Sequence, residues 1–170
     1  LDIARAIRAW PGHGAEADAA YRRAIELAVE SEDENADLAV LDEARAYAAQ
    51  TKNVELARFT LETLTRVRPE KIEAWVDLAR LESDAGGSAQ AVFDRLMQQR
   101  KDDLDAHVAY ATWLGLQGHP DAAAAHLRQA IGAGLDEANT LGALANLEFR
   151  LARIENARAV VNEMRRDHPA

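Results

Sequence analysis

Histidine is the residue type in this sequence that is best suited to acid–base chemistry or metal binding. The five histidines are His13, His107, His119, His126 and His168. None stands at the spacing of a metal-ligand pair or within an H-E-x-x-H motif, and His119 and His126 are too far apart for adjacent helical turns. We expect His107 to pack at a contact between two helices. The histidines therefore predict no metal site.

Two carboxylates, Glu82 and Glu148, are the next candidates, because each lies among leucines on a predicted helix. A buried carboxylate needs either a partner or a shifted pKa. We expect each one to pair with an arginine such as Arg95 or Arg158, or with backbone donors of an adjacent helix. A catalytic acid is the alternative interpretation.

Other kinds of reactive site find no support in the sequence. There is no cysteine, so disulfides, thiolate metal sites and a cysteine nucleophile are excluded. The glycine-containing segments at 12–14 and 86–87 lack the lysine–serine pair of a phosphate-binding loop, and we interpret them as turns. The sequence therefore predicts a protein that is not an enzyme and that has no cofactor.

The composition predicts an all-α protein. About half of the 170 residues are apolar, aromatic residues are few, and alanine, the strongest helix former, is abundant. A net charge of −9 argues against unaided nucleic-acid binding. No apolar run approaches the ~20 residues of a membrane span. The absence of cysteine fits both the cytoplasm and an oxidising compartment such as the periplasm, so the localisation stays open.

Apolar residues recur at helical spacing along the whole chain. The pattern predicts helices at about 1–10, 15–29, 38–50, 54–67 and 121–131. It also predicts a helix from about 72 to a turn at 86–88, a second one after that turn, a helix from about 104 to a turn at 118–120, and two further helices before Pro169. The acidic segment 30–37 is interpreted as an extended helix end or a loop rather than as an acidic docking motif. Prolines and glycines stand between the helices, where they stop the backbone hydrogen-bond ladder.

The helices form a repeat of about 34 residues. Ala57 and Ala123 are 66 residues apart, and Ala123 and Ala157 are 34 apart. A fixed helix–turn–helix period of this length is typical of a repeat array. We predict one repeat domain with units at about 1–37, 38–71, 72–103, 104–137 and 138–170, the third being two residues short. The chain begins without methionine inside a helical pattern, so we expect it to be a fragment of a larger protein.

The repeat resembles the tetratricopeptide repeat (TPR). The first half of that family's pattern is matched by Trp75-x2-Leu78-Ala79 and by Leu141-x2-Leu144-Ala145. The second half is matched by Ala57-x3-Leu61, Ala89-x3-Phe93, Ala123-x3-Leu127 and Ala157-x3-Val161, with Pro69 and Pro169 as closing prolines. His107 departs from the pattern, since it stands where tryptophan is usual. Residues 72–100 also resemble a half-a-TPR repeat, a type found in RNA-processing scaffolds, which is an alternative interpretation.

The resemblance implies a right-handed α-solenoid of about five antiparallel helix-turn-helix repeats. In such proteins the first helix of each repeat lines a concave groove that binds extended or helical peptides. The candidate groove residues on the first helices are Gln50, Val76, Arg80, Asp84, Val108, Thr112, Leu116, Asn146, Phe149 and Arg150. A solvated surface is the alternative for any one of them. Asp42, Ala46 and Asp77 argue against a clamp for a peptide's terminal carboxylate.

The resulting hypothesis is a non-catalytic scaffold that binds a peptide or protein segment in the groove. One alternative is a structural spacer or assembly domain of a larger secretion or envelope protein. Another is the regulatory domain of an enzyme whose catalytic part lies elsewhere. Val160, Val161 and Met164 lie on the last helix, which has no capping helix after it, so a homo-oligomer formed through the terminal repeats is a further expectation.

Overall fold

The computed structural model describes residues 14–30 and 34–167. This part of the chain contains nine α-helices and no strand, so the predicted all-α helical-repeat fold is confirmed. The helices are α1 (Gly14–Glu30), α2 (Glu34–Thr51), α3 (Val54–Val67), α4 (Ile72–Asp84), α5 (Ala89–Gln99), α6 (Leu104–Leu116), α7 (Pro120–Gly132), α8 (Glu137–Arg150) and α9 (Ile154–Asp167). The predicted helix at 1–10, together with His13, His168 and Pro169, lies outside the described residues.

The chain divides into two compact units, Leu1–Ala89 and Gln90–Ala170. In the first unit, fully buried side chains include Tyr21, Leu41 and Trp75. In the second, Leu127, Leu141 and Leu144 belong to one continuous cluster of buried apolar residues. Each helix contributes one apolar face to its unit, as the helical spacing of these residues predicts.

Every first helix from α2 onward ends in the same turn. Lys52, Gly86, Gly118 and Ala152 stand at the same repeat position and all have positive φ, at 54°, 79°, 85° and 59°. The next residue's N–H donates to the carbonyl five residues earlier, as from Asn53 to Ala48 (2.9 Å) and from Arg153 to Glu148 (2.9 Å). This is the Schellman motif, which satisfies the carbonyls at a helix C-terminus.

Short polar side chains cap the starts of α3, α6 and α8. Asn53 accepts the Leu56 N–H (3.0 Å) at the start of α3, and Asp136 accepts the Asn139 N–H (2.7 Å) at the start of α8. Such caps satisfy one of the N–H groups that have no partner within the helix. The predicted bounds of α3 agree with the observed ones.

The start of α2 differs from the predicted one. The helix predicted from residue 38 begins at Glu34, so part of the acidic segment 30–37 is an extended helix end, which is one of the two forms expected for it. Acidic residues are favourable near a helix N-terminus, so an acidic segment does not by itself indicate a loop. On the last helix, Val161 is 36% exposed, whereas Val160 is buried.

The shared turn gives a matched pair of substitutions. Ala152→Gly should stabilise the protein by about 0.5–1 kcal/mol, because an L-residue in the left-handed region is strained and glycine is not. Gly118→Ala, at the same position of the preceding repeat, should destabilise it by about 1 kcal/mol. Urea denaturation measures both. Equal stability of Gly118→Ala and the wild-type protein would contradict the need for left-handed backbone at this turn.

Candidate functional site

The predicted groove residues lie on the first helices α2, α4, α6 and α8. Seven of them are exposed: Gln50, Arg80, Asp84, Leu116, Asn146, Phe149 and Arg150. The other three are half-buried: Val76, Val108 and Thr112. Val108 packs against the apolar cluster of the second unit, so its side chain is only partly available to a ligand.

Two large apolar side chains of the second unit face solvent. Leu116 ends α6 and is 70% exposed, and Phe149 near the end of α8 is 66% exposed. The two helix ends lie together because the Leu151 side chain packs directly over Gly115, where an added Cβ would come within 2.7 Å of the leucine Cδ1. A larger residue at this position would therefore require the Leu151 side chain to shift. The surface that contains Leu116 and Phe149 is called the α6–α8 surface below.

The first unit has an open cleft between α2 and α4, above the start of α3. We call this space, which has a volume of about 310 Å3, the α2–α4 cleft. Its apolar lining residues are Ala48, Ala49, Val54, Ala57, Leu61 and Leu81, and its polar lining residues are Arg45, Lys52, Asn53, Asp77, Arg80 and Asp84. The cleft thus brings together two of the predicted groove residues, Arg80 and Asp84.

An ion pair joins the two helices across this cleft. The Arg45 guanidinium donates to Asp77 Oδ2 at 3.3 Å, and Arg80 Nη1 lies 3.8 Å from the other oxygen of the same carboxylate. Lys52 and Asp84 form no ion pair within the described residues. The rim therefore has one fixed bridge and two charged side chains that are available to a ligand.

Two histidines that are far apart in sequence meet in the second unit. His107 Nδ1 lies 3.0 Å from His126 Nε2, and the two rings stack with centroids 4.9 Å apart. His107 Nε2 is 2.8 Å from the Lys101 carbonyl, to which it must donate. With a neutral His107 ring, Nδ1 is then the acceptor, and His126 Nε2–H is the donor. The prediction that His107 packs between helices is confirmed.

Sequence reasoning missed the histidine pair, although the repeat contains a signal for it. Trp75 stands at the repeat position of His107 and donates from Nε1 to the Pro69 carbonyl at 3.1 Å, so the imidazole takes over the indole's hydrogen bond. His126 corresponds to Val92 and Val160, which are buried. Overlaying the repeats would have placed both histidines inside. No group of three or more metal-binding side chains occurs among the described residues.

The two carboxylates singled out by the sequence do pair with arginines. Glu82 Oε1 accepts from Arg58 Nε at 2.7 Å, and Glu148 Oε2 lies 3.0 Å from Arg153 Nε. The second contact has ion-pair distance without the alignment of a hydrogen bond. The predicted kind of partner is confirmed, but the named arginines, Arg95 and Arg158, were wrong. The actual partners lie on α3 and in the turn after α8, where the turn geometry brings the guanidinium back over the helix end.

The pairing also affects acid–base properties. The hydrogen bond that Arg58 donates to Glu82 and the charge of that carboxylate raise the pKa of Arg58, which keeps the guanidinium charged. On α7 and α9, Arg128 forms two parallel hydrogen bonds with Glu163, of 2.9 and 2.8 Å. The hydrogen bond from Arg128 is the main cause that lowers the pKa of Glu163. Glu163 is therefore held in its ionised form near neutral pH, which does not suit a general acid.

Comparison with known proteins gives a similarity at the level of structure. No protein-family model matches the sequence, and no curated protein matches it. Among solved structures, the chain is similar to TTC0263, a thermophilic TPR protein from Thermus thermophilus. The identity is 17%, the match covers 89% of this chain and 92% of that chain, and the TM-score is 0.44. No helix among residues 14–30 and 34–167 is both long and apolar enough to cross a membrane.

His126 should make stability depend on pH. Burial, with a smaller effect of His107, lowers the pKa of His126 from 6.5 to about 4. Between these values the unfolded chain binds a proton that the folded chain does not, so acid favours unfolding. We expect the wild-type protein to lose about 1–2 kcal/mol more than His126→Gln between neutral pH and pH 4.5, a value reduced for the ring's partial exposure. Urea denaturation at both pH values measures this, and an NMR titration of His126 near its ordinary pKa would contradict it.

Glu82 and Glu148 stand at the same repeat position, so the effects of their substitution on stability can be compared. Glu148 is 4% exposed, so Glu148→Gln should cost about 1–2 kcal/mol, because it removes the buried charge that pairs with Arg153 and leaves only the exposed Asp121, among the described residues, as an ion-pair partner of this arginine. Glu82→Gln should cost less, because the Glu82 side chain is 20% exposed. Urea denaturation at neutral pH compares the two variants. A Glu148→Gln variant with wild-type stability would contradict a structural role for this pair.

Proposed function

We propose that this chain is a non-catalytic protein-interaction scaffold, which binds a peptide or protein segment on the exposed face of its first helices. The observation that carries the proposal is the pair Leu116 and Phe149, which are 70% and 66% exposed. A single exposed leucine is ordinary on a protein surface. Two large exposed apolar side chains at the adjoining ends of two packed helices are less common. Patches of this kind often mark interaction sites.

Polar groups beside these side chains support the same proposal. Asn146 and Arg150 are exposed on α8, and neither side chain has a hydrogen bond or ion pair within the described residues. An amide and a guanidinium can bind backbone carbonyls or a carboxylate of a bound segment. Apolar anchors next to unengaged donors are the usual composition of a peptide-binding surface.

The alternative functions differ in whether they require these exposed residues. A structural spacer or an assembly domain needs the helical core but not exposed side chains at the ends of α6 and α8. A regulatory domain of an enzyme uses the same surface as the scaffold, but its partner is the catalytic part of its own protein. Substitutions confined to the exposed residues separate the first alternative from the proposal, and the identity of the bound protein separates the second.

The test compares two apolar surfaces of the chain. Leu116→Ser combined with Phe149→Ser should weaken binding of the captured partner at least about tenfold, since each side chain would be buried on binding. Leu27→Ser is the control, because Leu27 is also exposed, at 49%, but lies on α1. The partner is captured from a cell extract and identified, and its affinity is measured by calorimetry with the purified protein.

Polar variants extend this test. Asn146→Ala, Arg150→Ala and Arg80→Ala should also weaken binding, with helicity unchanged by circular dichroism. Retention of full affinity by the double serine variant and by all three alanine variants would contradict the proposal and favour a spacer.

A further inference from the structure

The α2–α4 cleft is open because of particular small residues, and the repeat itself does not require it. In the second unit, Leu151 fills the space above Gly115. The corresponding residues in the first unit are Ala85 and Ala49. Ala85 has φ −84° and ψ 2°, almost the backbone conformation of Leu151 at φ −83° and ψ 9°. The two turns thus direct their side chains alike, but alanine is too short to fill the space.

The cleft leaves apolar surface in contact with water. Val54, in the first turn of α3, lines it and is 43% exposed, and Leu81 lines it from α4 as a half-buried residue. The buried Leu61 contributes to the floor. Covering this surface with another apolar side chain is favourable. The volume of about 310 Å3 is at the lower end of the ~300–1,000 Å3 found for ligand pockets, which suits one or two side chains.

The rim of the cleft differs in charge from the rest of the chain. Three cationic and two acidic side chains line it, a surplus of one positive charge, whereas the chain as a whole carries −9. Arg45 is engaged by Asp77, but Lys52 has no ion pair within the described residues. The start of α3 lies at the same rim, with its partial positive charge. The net negative charge of the chain therefore disfavours the binding of an acidic segment, whereas the positive charges at the rim of the cleft favour it.

We infer that the α2–α4 cleft takes a leucine- to phenylalanine-sized side chain of a partner segment, and that Lys52, the cationic side chain at the rim without an ion pair among the described residues, selects a segment with an aspartate or glutamate beside this anchor. The inference rests on the proposed function and names the partner chemistry of one part of the first-helix face. The apolar floor supplies affinity, and the rim charges supply the choice among segments of similar hydrophobicity.

The test begins with short random peptides displayed on phage and selected on the whole protein. Enriched peptides should share a large apolar residue with an acidic residue next to it. One of them is then synthesised, and its affinity is measured by fluorescence anisotropy. Ala49→Phe should weaken it at least about tenfold, because it places in the cleft the residue found at the corresponding position 149. Ala39→Phe, also at an exposed site of α2 but outside the cleft, should change it little.

A charge exchange tests the second half of the inference. Lys52→Glu should weaken the acidic peptide about two- to fivefold, as expected for a partly exposed ion pair. A peptide with lysine in place of its acidic residue should bind Lys52→Glu better than the wild-type protein. This reversal depends on contact at the rim and does not follow from a general loss of stability.

The outcomes separate the inference from the proposed function. Peptides that lose affinity in Leu116→Ser/Phe149→Ser but not in Ala49→Phe would overturn the inference and leave the proposed function standing. Peptides that respond to neither set, or a selection without enrichment, would count against both. Self-association in analytical ultracentrifugation that Ala49→Phe abolishes would assign the cleft to a second copy of the chain and would also overturn the inference.

Discussion

The structure depends on one backbone requirement, a single left-handed residue at the end of each first helix. The Schellman hydrogen bonds close only when this residue reverses the chain, and the second helix then begins two or three residues later. Glycine meets the requirement at Gly86 and Gly118, whereas Lys52 and Ala152 meet it with a strained L-residue. The same backbone geometry recurs at four turns, so the helix-turn-helix repeat is visible in the backbone itself.

The constant turn allows the neighbouring side chains to vary without a change of fold. The third residue before the left-handed position is Ala49 in one repeat, Gly115 in another and Phe149 in a third. At Ala49 the α2–α4 cleft stays open, and at Gly115 the Leu151 side chain packs into the space. At Phe149 the aromatic ring faces solvent. The two candidate binding surfaces thus arise from one repeat position occupied by side chains of different volume.

The sequence was sufficient to predict the helices and their period, because helical spacing and turn residues are local signals. Helix α3, for example, was predicted with its observed ends, between Asn53 and Pro69. The exposed Phe149 could also be predicted, since it lies off the apolar face of α8. The contact of His107 with His126 could not be read from spacing along one helix, because it joins two. The α2–α4 cleft was missed for a related reason, since a cavity depends on the absence of side-chain volume between helices.

The central claim is that a partner binds at the C-terminal ends of the first helices, next to these turns. Hydrogen–deuterium exchange of the chain with and without its captured partner tests this claim most directly. The account predicts added protection in the last turns of α4, α6 and α8, with little change along α7 and α9. Protection confined to α7 and α9, with none at the first-helix ends, would contradict it.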